Sequence, residues 1–383
     1  MTRVMTVVGT RPEIIRLSRV IHRLRDTVDH VLVHTGQNWD RNLSDVFFAD
    51  LDLPAPDVCL DVDTSSLGRV LGGVLVGIEK AIAERRPDAL LVLGDTNSCI
   101  AALMARRMKV PVYHMEAGNR CFDLNVPEET NRRLVDHVAD FNLVYTEHAR
   151  RNLLAEGLHP RRILHTGSPL REVLDHYRPR IESSTVLDRL GLTPGGYFLI
   201  SAHREENVDD PGRLEQLLDC LRAVHDTWRL PILVSTHPRT RKRLEERTAD
   251  TVPLDGVNFH EPFGFFDYVC LQRHARCTLS DSGTISEEAA IVGFPAVTLR
   301  ESIERPEALD AGTIIMTGLD PAGLVEAITV AVRQTAEEGV PCPADYRVPD
   351  TSRRVVDFIL STVRRHHDWA GIRAHPPERS VPR

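Results

Sequence analysis

The stretch from Leu93 to Arg133, LGDTNSCIAALMARRMKVPVYHMEAGNRCFDLNVPEETNRR, decides the fold. It opens on the last residue of an apolar run, Ala89-Leu90-Leu91-Val92-Leu93, which reads as a buried strand and is followed by Gly94 and Asp95. After a helical segment a second strand, Pro111-Val112-Tyr113-His114-Met115, runs into Glu116. Both strands therefore end in an acid. In open parallel sheets ligands bind outside the carboxyl ends of strands, which places Asp95 and Glu116 where chemistry is usually found. A third acid, Glu128, opens the next helix behind Pro127. Three carboxylates converging on one crevice are expected to repel one another, raise at least one pKa and supply separate acid and base candidates. Any one of them alone reads more simply as a helix cap or a loop acid. Their shared position at successive strand ends favours chemistry.

Outward from this stretch, short apolar strands alternate with amphipathic helices. Strands are predicted at Val4–Val8, His30–His34, Ala89–Leu93, Val110–Met115, Phe141–Tyr145 and Ile163–Thr166. Between them, Ser65–Arg85 repeats Leu67, Val70, Leu71, Val74, Leu75 and Ile78 at helical spacing. A break near Tyr177-Arg178-Pro179-Arg180 precedes a second series, Tyr197–Ser201, Pro231–Ser235, Val257–His260, Cys277–Leu279, Ala296–Leu299 and Thr313–Met316. The pattern implies an α/β chain of two Rossmann-like domains, doubly wound on parallel sheets, with a central cleft between them. Residues 1–175 form the first domain with the carboxylates, and 176–350 the second. Residues 351–383 supply a helix, Thr351 to Val363, that crosses back onto the first domain, and a disordered tail from His375.

The length of 383 residues suits two domains of similar size. No run is long enough to span a bilayer and Met1-Thr2-Arg3 leads straight into a strand, so a cytoplasmic protein is expected. Seven scattered cysteines without a CxxC pair read as reduced packing residues. With 55 acids against 47 bases the net charge is −8, and aromatic residues make up 5%, which argues against nucleic acid as the main partner. The basic piece His237 to Arg243 reads equally as an anion site or a solvated helix face.

The first strand ends in Gly9-Thr10-Arg11-Pro12-Glu13, a tight turn into a helix that aims Arg11 at the cleft. In the second domain the matching turn is Ser280-Asp281-Ser282-Gly283-Thr284. Free N–H groups at Gly283 and Thr284, the Ser282 hydroxyl and the helix dipole suit a diphosphate. Glu287 and Glu288 follow in the first helical turn, and one of them is a candidate for ribose hydroxyls, since an ionised carboxylate accepts at both oxygens. Another strand end brings His203 and Arg204, with His203 a candidate to neutralise phosphate or move a proton. Arg300 and Glu304-Arg305-Pro306-Glu307 add charge behind a later strand. His366-His367-Asp368 reads as solvated, and no set of His, Cys, Asp and Glu has metal-ligand spacing. Neither a P-loop nor a GxGxxG follows the first strand, so neither ATP hydrolysis nor nicotinamide chemistry is indicated.

Taken in order, GTRPE at Gly9, TGQ at Thr35, GDTNS at Gly94, HMEAG at His114, PEETNR at Pro127, HREEN at His203, SDSG at Ser280 and ERPE at Glu304 resemble the non-hydrolysing UDP-N-acetylglucosamine 2-epimerase family. The resemblance covers nearly the whole chain. It implies the GT-B glycosyltransferase-type fold, a homodimer, and inversion at C2 of a UDP-N-acetylhexosamine without NAD, metal or other cofactor. It also implies the route: UDP leaves C1 as the C2 proton is removed, and UDP adds back to the 2-acetamidoglucal after the proton returns on the other face. Carried over by motif, Asp95, Glu116, Glu128 and His203 form the acid/base set. Arg11, Arg16, Arg132, Arg204, Tyr268, Ser282, Gly283, Thr284, Glu288 and Arg305 hold the UDP-sugar.

Three positions bear on specificity. Arg16 stands where the family has a lysine, and a guanidinium keeps the charge without a titratable ammonium. Asn38, followed by Trp39, replaces the histidine after TGQ, in a region that helps form an activating second UDP-N-acetylglucosamine site in bacterial members. Gly118-Asn119-Arg120-Cys121-Phe122-Asp123 is similar to a subgroup acting in capsule and O-antigen pathways on 6-deoxy sugars such as UDP-2-acetamido-2,6-dideoxy-L-talose. UDP-GlcNAc/UDP-ManNAc epimerisation is the first expectation, a 6-deoxy UDP-hexosamine the second. A GT-B glycosyltransferase is the alternative of another class.

Overall fold

The computed structural model describes residues 1–37, 48–202, 204–236, 238–245 and 255–373. Asn38, Trp39, His203, His237 and the tail from His375 lie outside the described residues. Contacts divide the chain into two compact units: Met1–Gly118, Leu124–Pro169 and the segment from Asp350 form one, Asn119–Asp123 and Leu170–Pro349 the other. The first unit thus ends its main run at Pro169 and the second takes Leu170. The break expected near Tyr177–Arg180 falls inside a continuous helix, Leu170–Glu182, with Pro179 within it. Burial of Leu170, Val173, Leu174, Tyr177 and Ile181 holds that helix despite the backbone hydrogen bond that a proline forgoes.

In the first unit β1 (Arg3–Val8), β2 (Asp29–His34), β3 (Val58–Cys59), β4 (Ala89–Leu93), β5 (Val112–Met115), β6 (Phe141–Val144) and β7 (Ile163–His165) form one sheet. The order is β3-β2-β1-β4-β5-β6-β7 and every pairing is parallel. β3 was not anticipated, because two residues at a sheet edge carry no periodicity. The order reverses between β1 and β4, so their carboxyl ends, Gly9 and Gly94, flank the switch point where such sheets bind ligands. The helix Arg11–Thr27 starts from a capping box, with Pro12 near its start and Glu13 reaching back to the Thr10 backbone. Its buried Ile14, Leu17, Val20, Ile21 and Leu24 recur at helical spacing and fix its face against the sheet.

The carboxy-terminal helix Thr351–Thr362 belongs to the same unit. Arg23 Nε donates to Ser352 Oγ at 2.8 Å, and Tyr113 Oη lies 2.7 Å from Thr362 Oγ1. Phe358 meets Phe141 edge-on at 5.3 Å, and Phe141 stacks on Tyr113 at 5.0 Å. Each such pair is worth about 0.5–1.5 kcal/mol beyond its buried area.

In the second unit β8 (Phe198–Ser201), β9 (Ile232–Ser235), β10 (Val257–His260), β11 (Cys277–Ser280), β12 (Ala296–Thr298) and β13 (Ile315–Met316) pair in parallel in the order β10-β9-β8-β11-β12-β13. Helices Pro211–Trp228 and Pro321–Glu338 bury Leu217, Leu221, Val224, Leu324 and Ile328 in its core. Here the switch point lies between β8 and β11, beside Arg204 and Asp281. Among the described residues no helix is long and apolar enough to cross a membrane.

Candidate active site

At the switch point of the first unit the organising group is Glu13, 1% exposed. Its Oε2 accepts from the Gly9 and Thr10 N–H groups at 2.8 and 2.7 Å, and its Oε1 from the Thr96 hydroxyl at 2.9 Å and from Ser98. Burial raises the Glu13 pKa while these hydrogen bonds lower it. One carboxyl thereby ties the turn after β1 to the turn after β4, with Asp95 next in chain to Thr96. Arg11 opens the adjacent helix partly buried, and burial lowers its pKa.

Asp95 and Glu116 are each met by an arginine. Arg132 Nε donates to Asp95 Oδ2 at 2.7 Å and its Nη1 reaches the buried Glu129 at 3.2 Å. Asn131 donates to the Asp95 carbonyl at 2.8 Å. Arg16 pairs with Glu116, both side chains nearly buried. The three acids were expected to act on one another by like charge; in the structure two of them have their own counter-charge. Arg16 and Arg132 are likewise engaged by carboxylates. Glu128 sits in the first turn of helix Pro127–Val138, partly exposed, and among the described residues its side chain has no hydrogen-bond or ion-pair partner.

Backbone geometry sets the approach of the acids. Glu116 has φ of 65°, a left-handed conformation that costs a non-glycine residue about 1–3 kcal/mol and concentrates at functional sites. Gly94 has φ of 72°, and the one atom within 4 Å of where its Cβ would stand is Glu116 Oε2, at 3.8 Å. The Glu116 carboxylate therefore lies over the residue that precedes Asp95.

Beneath them His114 is 1% exposed, with Nε2 at 2.8 Å from the Gly94 carbonyl and Nδ1 at 2.9 Å from Asp136 Oδ1. Asp136, fully buried, also accepts from the Gly118 N–H at 3.2 and 3.1 Å. Sequence reasoning gave neither residue a role. The available signal was the helix Pro127–Val138, where Glu129, Arg132 and Asp136 share one helical face and are all buried. Glu13 was legible in the same way, as the acid three residues after a Thr cap.

In the second unit Asp281 joins the ends of β8 and β11. It accepts from the Arg204 N–H at 3.0 Å and from Asn207 at 3.1 Å, and its carbonyl accepts from Arg204 Nε at 3.0 Å. Arg204 then reaches Glu304 at 3.2 Å, and Glu304 pairs with Arg300. Arg300 is 3% exposed, and its Nε and Nη2 lack a partner among the described residues. A Cβ on Gly283 would stand 3.2 Å from Glu304 Oε2 and 3.5 Å from Arg204 Nη2, so only glycine leaves this turn its full room.

The turn keeps part of its donor set internally satisfied: the Ser282 hydroxyl accepts from the Thr284 N–H at 3.3 Å. Nothing among the described residues accepts from the Gly283 N–H. Arg305 Nε donates to the Gly283 carbonyl at 2.8 Å and its Nη1 meets the fully buried Glu287 at 2.6 Å. That settles which neighbouring acid is internal. Glu288 is partly exposed and accepts from Thr284 Oγ1 at 2.5 Å and Gln272 at 2.6 Å. Tyr268 lies beside it, its pKa pushed up by burial and by the Glu288 charge.

The sequence and the fold are similar to those of known proteins. A family model described as UDP-N-acetylglucosamine 2-epimerase matches residues 22–360. The structure is similar to that of UDP-N-acetylglucosamine 2-epimerase from Rickettsia bellii, with TM-score 0.91 and 42% identity over 97% of this chain and 100% of that one. It is also similar to the Methanocaldococcus jannaschii UDP-GlcNAc 2-epimerase in complex with UDP-GlcNAc and UDP, with TM-score 0.86 and 32% identity over 94% of this chain and 100% of that one. UDP-2,3-diacetamido-2,3-dideoxy-D-glucuronate 2-epimerase from Pseudomonas aeruginosa is 33% identical over 342 residues, 88% of this chain and 94% of that protein. The two parallel sheets are those of the GT-B-type fold. With the family model spanning most of its length, the chain belongs to the UDP-N-acetylglucosamine 2-epimerase family.

Proposed function

We propose that the protein interconverts UDP-GlcNAc and UDP-ManNAc by elimination and re-addition of UDP. The observation that carries this reading is the placement of Glu116 over Gly94 and beside Asp95, two acids at adjacent strand ends in a chain of this family. The C2 proton is not next to a carbonyl, so its removal alone would leave an unstabilised carbanion. Elimination avoids that. A carboxylate takes the C2 proton as the C1–O bond to UDP breaks and its electron pair leaves with the diphosphate, giving a C1=C2 double bond. A second acid then delivers a proton to C2 on the other face while a diphosphate oxygen re-forms the bond to C1. Asp95, Glu116, Glu128 and His203 are the proton-transfer groups in this scheme. The Gly283 N–H, Ser282, Arg204 and Arg305 hold the diphosphate, and Glu288 and Tyr268 the nucleoside.

A second reading concerns the sugar. The Pseudomonas aeruginosa relative named for a diacetamido-dideoxyglucuronate is 33% identical, so substituents at C3 and C6 vary among close relatives. Incubation with UDP-GlcNAc in D2O, following C2 by NMR, tests both. Deuterium at C2 with UDP-ManNAc appearing is expected. Exchange only with a 6-deoxy or diacetamido UDP-sugar moves the assignment to that substrate, and transfer to an acceptor without C2 exchange makes the protein a glycosyltransferase.

We also propose a homodimer and a cytoplasmic setting. The helix Leu67–Arg85 exposes Val76 by 68%, and nothing lies within 4 Å of a Cβ at Gly68 or Gly72 on the same side. A second copy of the same helix packed antiparallel across a two-fold axis covers this face and brings Arg69 of one toward Glu79 of the other. Val76→Glu should then yield a monomer by analytical ultracentrifugation; an unchanged dimer excludes this face. Seven free thiols fit a reducing compartment.

A further inference from the structure

We propose that His114 and Asp136 are positioning residues that hold Asp95 and Glu116 in register through a buried imidazolium–carboxylate clamp. The proposal rests on the reading of those two acids as proton-transfer groups.

The clamp grips the backbone on both sides of the acids. Its first contact is the Gly94 carbonyl, the residue before Asp95, 2.8 Å from His114 Nε2. Its last is the Gly118 N–H, two residues past Glu116, which Asp136 accepts at 3.2 and 3.1 Å. Gly94 and Gly118 both have positive φ, at 72° and 83°. A Cβ at Gly118 would meet the Ala149 carbonyl oxygen at 2.4 Å, so that turn has no room to shift. Asp136 is itself anchored, since Asn142 donates to its carbonyl at 2.9 Å. The chain of contacts Gly94, His114, Asp136, Gly118 thus spans β4, β5 and the helix behind them.

Nε2 of His114 is hydrogen-bonded to the Gly94 carbonyl, and Nδ1 lies 2.9 Å from Asp136 Oδ1 as an ion-pair contact without hydrogen-bond alignment. A neutral ring can donate to the carbonyl alone; the cation adds charge attraction to the Asp136 carboxylate. Burial works against the charge, while the contact and charge of Asp136, the Gly94 carbonyl and the charge of Asp95 raise the His114 pKa overall. The cation also offsets the negative charge of Asp95. Displacing a reacting group by even 1 Å costs a factor of roughly 100 in rate, which is the scale a loosened clamp would produce.

The test compares D136N and H114A with the parent protein in steady-state epimerisation, with UDP binding measured by calorimetry. Folded D136N is expected to lower kcat by roughly 100-fold with KM and the UDP dissociation constant unchanged. Ring-15N-labelled histidine NMR of the parent protein at neutral pH should show His114 protonated at both nitrogens, assigned by its loss in H114A or, if H114A does not fold, by its shift in D136N. An unchanged kcat in D136N, or a ring nitrogen of His114 without a proton, overturns the clamp. D95N and E116Q report separately on the acids: wild-type turnover in those variants removes the proton-transfer reading, whereas the protonation of His114 does not depend on it.

Discussion

Arg132 Nε stands 2.7 Å from Asp95 Oδ2, so a helix that begins beyond β5 supplies the counter-charge for an acid at the end of β4. Glu116 receives the same from Arg16, on the helix after β1. An ion pair holds each acid aimed, and a base must be positioned before it takes a proton.

Asp95→Asn and Glu116→Gln keep shape and remove charge. Each is expected to lower turnover by about 100-fold or more with a modest change in UDP affinity, the usual scale for general acid–base groups. Steady-state rates with UDP binding measured alongside decide it. Turnover at the parent level in either variant removes that residue from proton transfer.

His34 ends β2, 1% exposed, and its Nδ1 accepts from the Gly36 N–H at 3.0 Å. Protonating that nitrogen destroys the bond. Burial lowers the His34 pKa from 6.5 to about 4, against the raising charge of Asp61. The unfolded chain then binds the proton at a higher pH than the folded one. Stability is intact above about pH 6.5 and falls on acidification towards pH 4, by about 3 kcal/mol in all. Urea melts across that window should show the loss, and H34N should flatten the dependence. A slope unchanged in H34N assigns it to other groups.

Much of the architecture was legible because central strands such as β1 and β4 are buried on both faces and read as continuous apolar runs. Asp95 and Glu116 were legible because each follows such a run directly. The groups behind them were not. His114 faces into the sheet within a strand of buried residues and reads as packing, and Asp136 lies 22 residues further on. No spacing in one element announces a contact made between two. The position of Pro179 misled for the opposite reason: a local breaker was outweighed by five buried side chains on one helix.

Glu288 accepts from Thr284 and Gln272, and its remaining lone pairs are the ones a ribose would use. Glu288→Gln replaces an acceptor-only group by one with competing donors. It is expected to weaken UDP about tenfold, the value of a charge-assisted hydrogen bond at the low end of its range. Calorimetric titration with UDP checks this. An unchanged dissociation constant takes Glu288 out of the nucleotide site.

Tyr346 is fully buried, and its hydroxyl donates to Glu307 Oε1 at 2.5 Å. Burial raises the Glu307 pKa, and the Tyr346 hydrogen bond and the Arg305 charge hold it down. A carboxyl raised above its unfolded value contributes most to stability when protonated, and that contribution is lost as pH rises through the folded value. Tyr346→Phe removes the donor that limits the rise. The expected cost is about 1–3 kcal/mol for a buried acceptor left without its partner, and it should be larger at pH 7, where Glu307 must ionise unassisted, than at pH 4. Because Arg305 faces the same carboxyl and also holds the Gly283 carbonyl, the variant should loosen UDP binding as well. Thermal melts at the two pH values and a UDP titration test both halves. Equal destabilisation at pH 4 and pH 7 would mean that Tyr346 acts by packing alone, with Glu307 protonated throughout.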